Sequence, residues 1–202
     1  MQEAVVHFID DDDSLRTAVS RLLGAAGYTV RQYASGDDFL REQDLAGGCI
    51  LLDIGMPGLS GVQLQEHLNA RNSILPIIFM TGQGDIATSV RTIKAGAEDF
   101  LCKPVDQAQL CAAIERAFER YRSSARDHSA HQALAARVAR LSPRERQVFD
   151  LVITGLLNKQ IADRLGMTER TVKAHRAAIV EKMQMRSVAE LVAAASELRL
   201  LG

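Results

Sequence analysis

The stretch CILLDIGMPGLSG, residues 49–61, contains the features that decide the fold of the first half of the chain. Its first four residues form an unbroken apolar run that ends in a single acid, Asp53. An apolar run without polar alternation is typical of a parallel strand with helices over both faces. A helical pattern follows from Gly61 to Ala70. The stretch therefore predicts one strand-and-helix unit of a parallel α/β sheet.

Four further units of this kind occur between residues 4 and 121. The first consists of a strand from Ala4 to Ile9 and a helix that we expect Ser14 to cap. The remaining predicted pairs are Tyr28 to Tyr33 with Asp37 to Glu42, Ile77 to Met80 with Asp85 to Ala95, and Asp99 to Leu101 with Asp106 to Tyr121. This alternation predicts a doubly wound α/β domain with a five-stranded parallel sheet.

The segment RSSARDHSAHQALAARVARL, residues 122–141, differs in composition from what precedes it. It is rich in charged and small residues and contains neither glycine nor proline. We expect a partly helical linker at 122–137, between a first domain at 1–121 and a second at 138–202.

The second domain shows four short helical patterns and no strand. A capping box at Ser142 to Glu145, with Pro143 at the first helical position, starts the first helix, and Ser187 to Glu190 repeats the box before the last. Between them lie a helix from Asn158 to Leu165, a turn with Gly166, and a helix that Thr168 caps and that runs to about Lys182. This arrangement is a candidate helix-turn-helix in a small all-α domain.

The composition is that of an ordinary globular protein, with 47% apolar and 24% charged residues among 202. No apolar run approaches the roughly 20 residues that span a bilayer. Met1 to Asp10 lacks a leader pattern, so we expect a cytoplasmic, unprocessed chain that contacts no membrane.

The three cysteines, Cys49, Cys102 and Cys111, lack metal-ligand spacing, and we expect core or surface thiols. The net charge of −1 combines −7 up to residue 121 with +6 beyond it, which favours cations near the first half and phosphate backbones near the second.

Polar side chains close the predicted strands, at the edge of a parallel sheet where ligands bind. Asp10 to Asp13 follow the first strand, Asp53 the third, Thr81 the fourth and Lys103 the fifth. Converging carboxylates need a cation, and Mg²⁺ prefers oxygen ligands of this kind. With the charge balanced, Asp53 is the natural nucleophile toward a phosphoryl group, whose oxygens Thr81 and Lys103 would stabilise. Taken alone, the four aspartates have an alternative interpretation as a solvated turn with helix-capping acids.

Residues 4–121 resemble a receiver domain of a two-component response regulator, which has a flavodoxin-like fold. The resemblance rests on Asp10-Asp11, Asp53 in LLDIGMPGLSG, Thr81-Gly82 and Lys103-Pro104. It implies that Asp53 accepts a phosphoryl group from a sensor histidine kinase, with Mg²⁺ as cofactor. The implied metal ligands are Asp10, Asp11, Asp53 and the backbone carbonyl of Gly55.

Phe100, three positions before Lys103, matches the aromatic position that such domains use as a switch. Because phenylalanine has no hydroxyl group to exchange hydrogen-bond partners, the resemblance implies a switch that works through packing. The alternative is a core phenylalanine on a buried strand.

The helix that begins at Thr168 has an apolar face formed by Val172, Ile179 and Met183, which we expect to point inward. Its remaining surface is polar or small, as a helix in the major groove requires. On spacing and charge alone, the alternative is a protein-interaction module with a solvated basic face.

Residues 141–183, LSPRERQVFDLVITGLLNKQIADRLGMTERTVKAHRAAIVEKM, resemble a LuxR-type DNA-binding domain. Combined with a receiver, this domain indicates the FixJ and NarL-like branch of response regulators. The resemblance implies double-stranded promoter DNA and RNA polymerase as partners. The residues implied to face base edges are Lys173, Ala174 and Ala177, and those implied to contact phosphates are Thr171, Arg176, Arg170 and Lys159. Ala177 stands where relatives carry a basic residue, which leaves open which bases are read.

Together these features predict a phosphorylation-dependent transcriptional regulator that forms a homodimer when Asp53 is phosphorylated. We expect two surfaces to contribute to the dimer. The first carries Ser89, Arg91, Thr92, Lys94 and Asp99; the second is part of the final helix with Val188, Leu191, Val192, Ala195 and Leu198.

Two other functions remain open at this point. The first is a Mg²⁺-dependent aspartyl-phosphate phosphatase for small substrates, although the chain has no segment suited to a substrate cap and Gly55 stands where a second acid would lie. The second is a DNA-binding protein whose receiver responds to a different signal.

Overall fold

The chain forms two compact units, and the boundary between them falls between Ala125 and Arg126 in the sequence. The computed structural model describes residues 4–42, 45, 47–82 and 86–197, with only the backbone at 86–89 and 196–197.

The first unit contains five strands that alternate with helices. The strands are β1 (Val5–Ile9), β2 (Thr29–Tyr33), β3 (Gly48–Asp53), β4 (Ile77–Thr81) and β5 (Asp99–Cys102). The helices are α1 (Asp13–Ala25), α2 (Gly36–Arg41), α3 (Gly61–Ala70), α4 (Ile86–Lys94) and α5 (Gln107–Ala139). Each strand begins and ends within one residue of its predicted bounds. The beginning predicted for α4, at Asp85, lies outside the described residues.

The five strands are parallel and lie in the order β2-β1-β3-β4-β5, which confirms the predicted doubly wound fold. Every residue of β1, β3 and β4 is buried, because helices cover both faces of the sheet. Alternate side chains enter two cores. One core contains residues of α1 and α5, and the other contains residues of α2 and α3.

The prediction that Ser14 caps α1 is wrong. Asp12 has an extended backbone, and its Oδ1 accepts hydrogen bonds from the N–H groups of Ser14 and Leu15. A carboxylate at this position pairs unsatisfied N–H groups and also interacts favourably with the positive end of the helix dipole. Ser14 is already the second residue of the helix.

Helix α5 runs through the whole segment predicted as a linker. The C-terminal part of α5 belongs to the second unit, where Leu134 and Val138 are part of the hydrophobic core. The stretch between them and Ala125 is exposed.

The second unit adds four helices, α6 (Pro143–Ile153), α7 (Asn158–Leu165), α8 (Glu169–Lys182) and α9 (Val188–Glu197), and shows no strand in its described part. The predicted bounds of α7 are confirmed, and Gly166 ends that helix with a left-handed backbone at φ 63°. Thr168 caps α8 as predicted.

The first predicted capping box is confirmed and the second is only half right. At α6, the Ser142 hydroxyl accepts from the Glu145 N–H, and the Glu145 carboxylate accepts from the Ser142 N–H. At α9, the Ser187 hydroxyl accepts from the Glu190 N–H, but the Glu190 carboxylate reaches one residue further, to the N–H of Arg186.

Helix α9 contributes chiefly to the core. Leu191 and Ala195 are buried, whereas Val188 and Val192 are half-buried. Leu198 lies outside the described residues.

The three cysteines are free thiols, as predicted. Cys49 is buried in β3, Cys111 is half-buried in α5, and Cys102 is exposed at the end of β5. None of the described helices combines the length and the apolar character needed to cross a membrane.

Candidate functional site

The carboxyl ends of β1, β3 and β5 bring three predicted site residues into direct contact. The Lys103 ammonium donates to Asp10 Oδ2 at 2.7 Å and to Asp53 Oδ1 at 2.6 Å. Asp10 and Asp53 are buried, and the Lys103 side chain is 20% exposed. One cation thus bridges two carboxylates that are 43 residues apart in sequence and come from neighbouring strands.

The loop after β3 is built around Asp53. The N–H of Gly55 donates to Asp53 Oδ2 at 2.6 Å, so each carboxylate oxygen has a donor. A Cβ atom on Gly61 would lie 2.3 Å from the main-chain oxygen of Asp53. Helix α3 can therefore begin directly beside the acid only with glycine at that position.

Lys103 is held in its charged form. Burial acts to lower the pKa of its ammonium, but hydrogen bonds to Asp10 and Asp53 and the charges of both acids outweigh it, so the pKa is raised. The site therefore has a fixed positive charge opposite two carboxylates. This arrangement suits the oxygens of a phosphoryl group attached to either acid.

The acidic run after β1 divides into four different roles. Asp10 Oδ1 accepts from the Asp12 N–H at 3.0 Å, Asp12 caps α1, and Asp13 pairs with Arg16. Asp11 is exposed and has no hydrogen bond or ion pair to another described residue. The contacts of Arg16 were not anticipated from the sequence, although its spacing of three from Asp13 on a helix is a signal for an ion pair.

The two other predicted receiver residues lie on the neighbouring strands. Thr81 is buried at the end of β4, opposite Cys102 in the strand register. Phe100 is half-buried and packs against the core on the α3 side of the sheet.

The donor set at this edge is made of hard oxygens, which suits Mg²⁺. Asp10 and Asp53 direct one oxygen each at a single cationic group, and Asp11 has unused oxygens. Mg²⁺ typically takes one or two protein carboxylates and keeps several waters. Within the described ranges, no three Asp, Glu, His or Cys side chains lie close enough together to form a ready-made metal cage.

Helix α4 matches the expected charged surface only in part, because Arg91 and Lys94 are exposed as expected but Thr92 is not. Thr92 is buried, and its carbonyl accepts from the Gln65 side chain at 3.1 Å. Val90 and Ile93 are exposed instead, at 46% and 45%. Asp99 is paired with Arg116 of α5 within the same unit. The prediction that Thr92 lies on the surface is therefore wrong. The Ser89 side chain lies outside the described part.

The second unit presents a helix-turn-helix whose inner face is as predicted. Val172, Ile179 and Met183 are buried. The predicted DNA-facing residues that are exposed are Lys159, Arg170, Thr171, Lys173, Ala174 and Ala177. Arg176 is half-buried and donates to Asn158 Oδ1 at 2.8 Å, so this guanidinium ties α8 to the first residue of α7.

Glu145 connects the beginning of α6 with the end of α8. Its carboxylate accepts from the Lys182 ammonium at 2.7 Å and from the Ser142 N–H at 2.7 Å. The hydrogen bond from Lys182, followed by the one from Ser142, lowers the pKa of Glu145 to about 2. The structural role expected for Glu145 is confirmed.

Two family models match this chain. The response regulator receiver domain matches residues 6–115, and the bacterial regulatory proteins of the luxR family match residues 139–195. The chain belongs to the response regulators that join a receiver domain to a LuxR-type DNA-binding domain.

The chain is similar to proteins named as transcriptional regulatory proteins and as response regulators. The transcriptional regulatory protein FixJ of Azorhizobium caulinodans is 43% identical over 188 residues, which cover 93% of this chain and 89% of that protein. The structure of the response regulator StyR has a TM-score of 0.78 at 40% identity and covers 96% of this chain and 99% of its own. Full-length FixJ from B. japonicum, at 39% identity and a TM-score of 0.60, covers 100% of both chains.

The protein is therefore a DNA-binding transcriptional regulator homologous to FixJ, and phosphorylation-dependent regulation fits its family. The family implies a sensor kinase and DNA as partners, and its receiver domains generally use Mg²⁺ for phosphorylation.

Proposed function

We propose that Asp53 accepts a phosphoryl group from a sensor histidine kinase and thereby controls DNA binding by the second unit. The observation that carries this proposal is the double contact of Lys103 with Asp10 and Asp53. In the transfer, an Asp53 carboxylate oxygen forms a bond to phosphorus as the bond to the donor nitrogen breaks. Lys103 and Thr81 stabilise the phosphoryl oxygens.

Asp10, Asp11, Asp53 and the carbonyl of Gly55 are the proposed ligands of Mg²⁺. When bound, the ion neutralises charge on the acids and on the phosphoryl oxygens. Asp10 contributes an oxygen that Lys103 contacts in this structure, and Asp11 contributes a carboxylate without another partner among the described residues.

We propose a dimer of phosphorylated chains that uses the exposed apolar pair on α4. Phe100 lies between Thr81 and Lys103 in sequence, and its ring would repack as the Thr81 hydroxyl moves toward phosphorylated Asp53. Val90 and Ile93 are exposed side chains of a kind that proteins commonly bury in contacts. A second copy across a two-fold axis would cover them, and Val192 on α9 is available for a matching contact between DNA-binding units.

For DNA, we propose that Lys173, Ala174 and Ala177 face bases and that Lys159, Arg170 and Thr171 contact phosphates. Their exposure supports these roles. Arg176 already donates one N–H to Asn158. We propose that its remaining guanidinium N–H groups contact phosphate. We propose RNA polymerase as a further partner. We also propose that the protein acts in the bacterial cytoplasm, where promoter DNA is found.

Sedimentation and DNA titration of the full chain test this function. With a stable phosphoryl mimic and Mg²⁺ at micromolar concentration, we expect a dimer and tighter binding to a near-palindromic site, because dimerisation is linked to DNA binding. Ile93→Glu should remain monomeric, and Ile93→Val should dimerise normally. Equal mass and equal DNA affinity with and without the mimic would contradict the dimer.

We propose that the acids serve phosphorylation of the chain itself and not turnover of a separate substrate. The match to a receiver domain supports this. Steady hydrolysis of small phosphate esters far beyond one turnover per chain would favour the phosphatase instead.

A further inference from the structure

Arg16, the fourth residue of α1, lies beside the acidic run and makes two hydrogen bonds in different directions. One guanidinium nitrogen donates to the main-chain oxygen of Asp10 at 2.6 Å, and the other donates to Asp13 Oδ1 at 2.8 Å. The Arg16 side chain is 11% exposed, whereas the Asp13 side chain is 89% exposed. A mostly buried guanidinium therefore contacts the backbone that carries the proposed metal ligands.

The contact with the Asp10 carbonyl affects Asp11 directly. That carbonyl belongs to the planar peptide group that joins Asp10 to Asp11, so holding it fixes the plane from which the Asp11 side chain extends. The Asp10 carboxylate accepts hydrogen bonds from Lys103 and from the Asp12 N–H, and the Asp13 carboxylate accepts one from Arg16. Among the acids of the described run, Asp11 is left with its carboxylate available.

We infer that Arg16 is a positioning residue for the cation site: it holds the peptide between Asp10 and Asp11 so that the Asp11 carboxylate can bind Mg²⁺. This inference rests on the proposed function of those acids. It is separate from the phosphoryl contacts of Lys103 and Thr81, because Arg16 acts through the backbone of Asp10.

Charge and positioning predict opposite results when Arg16 is removed. By Coulomb's law alone, loss of a nearby positive charge, with Asp13 left unpaired, tightens Mg²⁺ binding. Loss of the hydrogen bond that orients a ligand weakens it, typically by 10-fold or more. We expect positioning to win, because the Arg16–Asp13 pair is neutral as a unit, and the charge of Asp13, which is 89% exposed, is screened by solvent once it is unpaired.

The test is a titration of the full-length, unphosphorylated protein with Mg²⁺, followed by calorimetry and amide NMR. Arg16→Ala should raise the Kd about 10-fold. Arg16→Lys should do the same, because an ammonium retains the charge but lacks the planar fork that reaches both acceptors. Arg21→Ala, an exposed position on the same helix with the same charge change, should leave the Kd unchanged.

Each outcome has a distinct meaning. Unchanged or tighter binding by Arg16→Ala, or wild-type binding by Arg16→Lys, overturns the inference. A lower melting temperature with an unchanged Kd assigns Arg16 a structural role only and overturns it as well. If Arg16→Ala fails to fold, Arg16→Lys decides, because it retains the apolar stem. Absence of Mg²⁺ binding by the wild-type chain would instead overturn the proposed metal site, and the inference with it.

Discussion

The acidic edge of the receiver unit and the exposed face of α7 and α8 differ in how their side chains are held. Asp10 and Asp53 are buried, and each accepts a hydrogen bond from Lys103, which is itself largely buried. Lys159 and Lys173 are exposed and have no hydrogen bond to another described residue. A small anion requires donors that are fixed before it arrives, whereas DNA orders long side chains as it binds. The first site can therefore be recognised within one chain, and the second needs its partner.

The largest expected effect is at the fixed site. Asp53→Asn should abolish phosphorylation, because an amide is a poor nucleophile, while the fold survives because the two side chains are nearly the same size. After incubation with Mg²⁺ and a small phosphodonor, mass spectrometry should show a gain of about 80 Da on the wild-type chain and none on the variant. Uptake at another aspartate with normal activation would contradict the assignment.

Lys103→Ala tests whether the fixed site depends on its internal cation. Two buried carboxylates would face each other without a positive charge, and we expect a loss of about 2 kcal/mol in the free energy of unfolding without Mg²⁺. The variant should still bind Mg²⁺, and the ion should restore part of the loss. Urea unfolding with and without Mg²⁺ measures both effects. Lys94→Ala, at an exposed position of α4, is the control.

On the exposed face, Lys173→Ala and Lys159→Ala should behave differently. Loss of a base contact at Lys173 should cost roughly 1–3 kcal/mol at a specific site and relax base preference. Loss of a phosphate contact at Lys159 should weaken specific and non-specific binding alike and reduce the salt slope by about one. Fluorescence anisotropy at several salt concentrations separates them. Equal, sequence-independent losses would reject the two roles but not DNA binding.

The smallest effect concerns the ion pair between Glu145 and Lys182 in the second unit, which joins the beginning of α6 to the end of α8. Because the pKa of Glu145 is about 2 in the folded chain and 4.5 ordinarily, its contribution to stability is present above pH 4.5 and is lost as the pH falls toward 2. Lys182 is 43% exposed, so we expect Glu145→Gln to cost only about 1 kcal/mol at neutral pH. In thermal unfolding experiments, the difference in stability between the wild-type chain and Glu145→Gln should become smaller as the pH falls from 7 to 3. Glu169→Gln, at an exposed position of α8, is the control for the loss of one surface charge.

The elements were largely predictable from local sequence patterns, and the acidic site was largely predictable from the topology of a parallel sheet. Buried parallel strands require continuous apolar runs, and β1, β3 and β4 follow that rule at every position. Strand ends meet at one edge, so the approach of Asp10, Asp53 and Lys103 follows from the order of the elements.

The details that depend on particular side-chain contacts between helices could not be predicted. Helix α4 exposes Val90 and Ile93 and buries Thr92, whose main-chain carbonyl accepts a hydrogen bond from Gln65 of α3. A pattern that places apolar residues inside gives the opposite result. In the same way, nothing in the sequence near Arg176 indicates its hydrogen bond to Asn158, 18 residues earlier.

The different environments of the cysteines make the chain suitable for site-selective labelling. Burial, and secondarily the charge of Glu115, raises the pKa of Cys49 to about 12, so this thiol stays protonated and unreactive at neutral pH. Cys102 is exposed and directly precedes Lys103. In a Cys111→Ser variant, a maleimide fluorophore would therefore attach at Cys102 and report in real time on changes at the acidic edge, with no introduced cysteine.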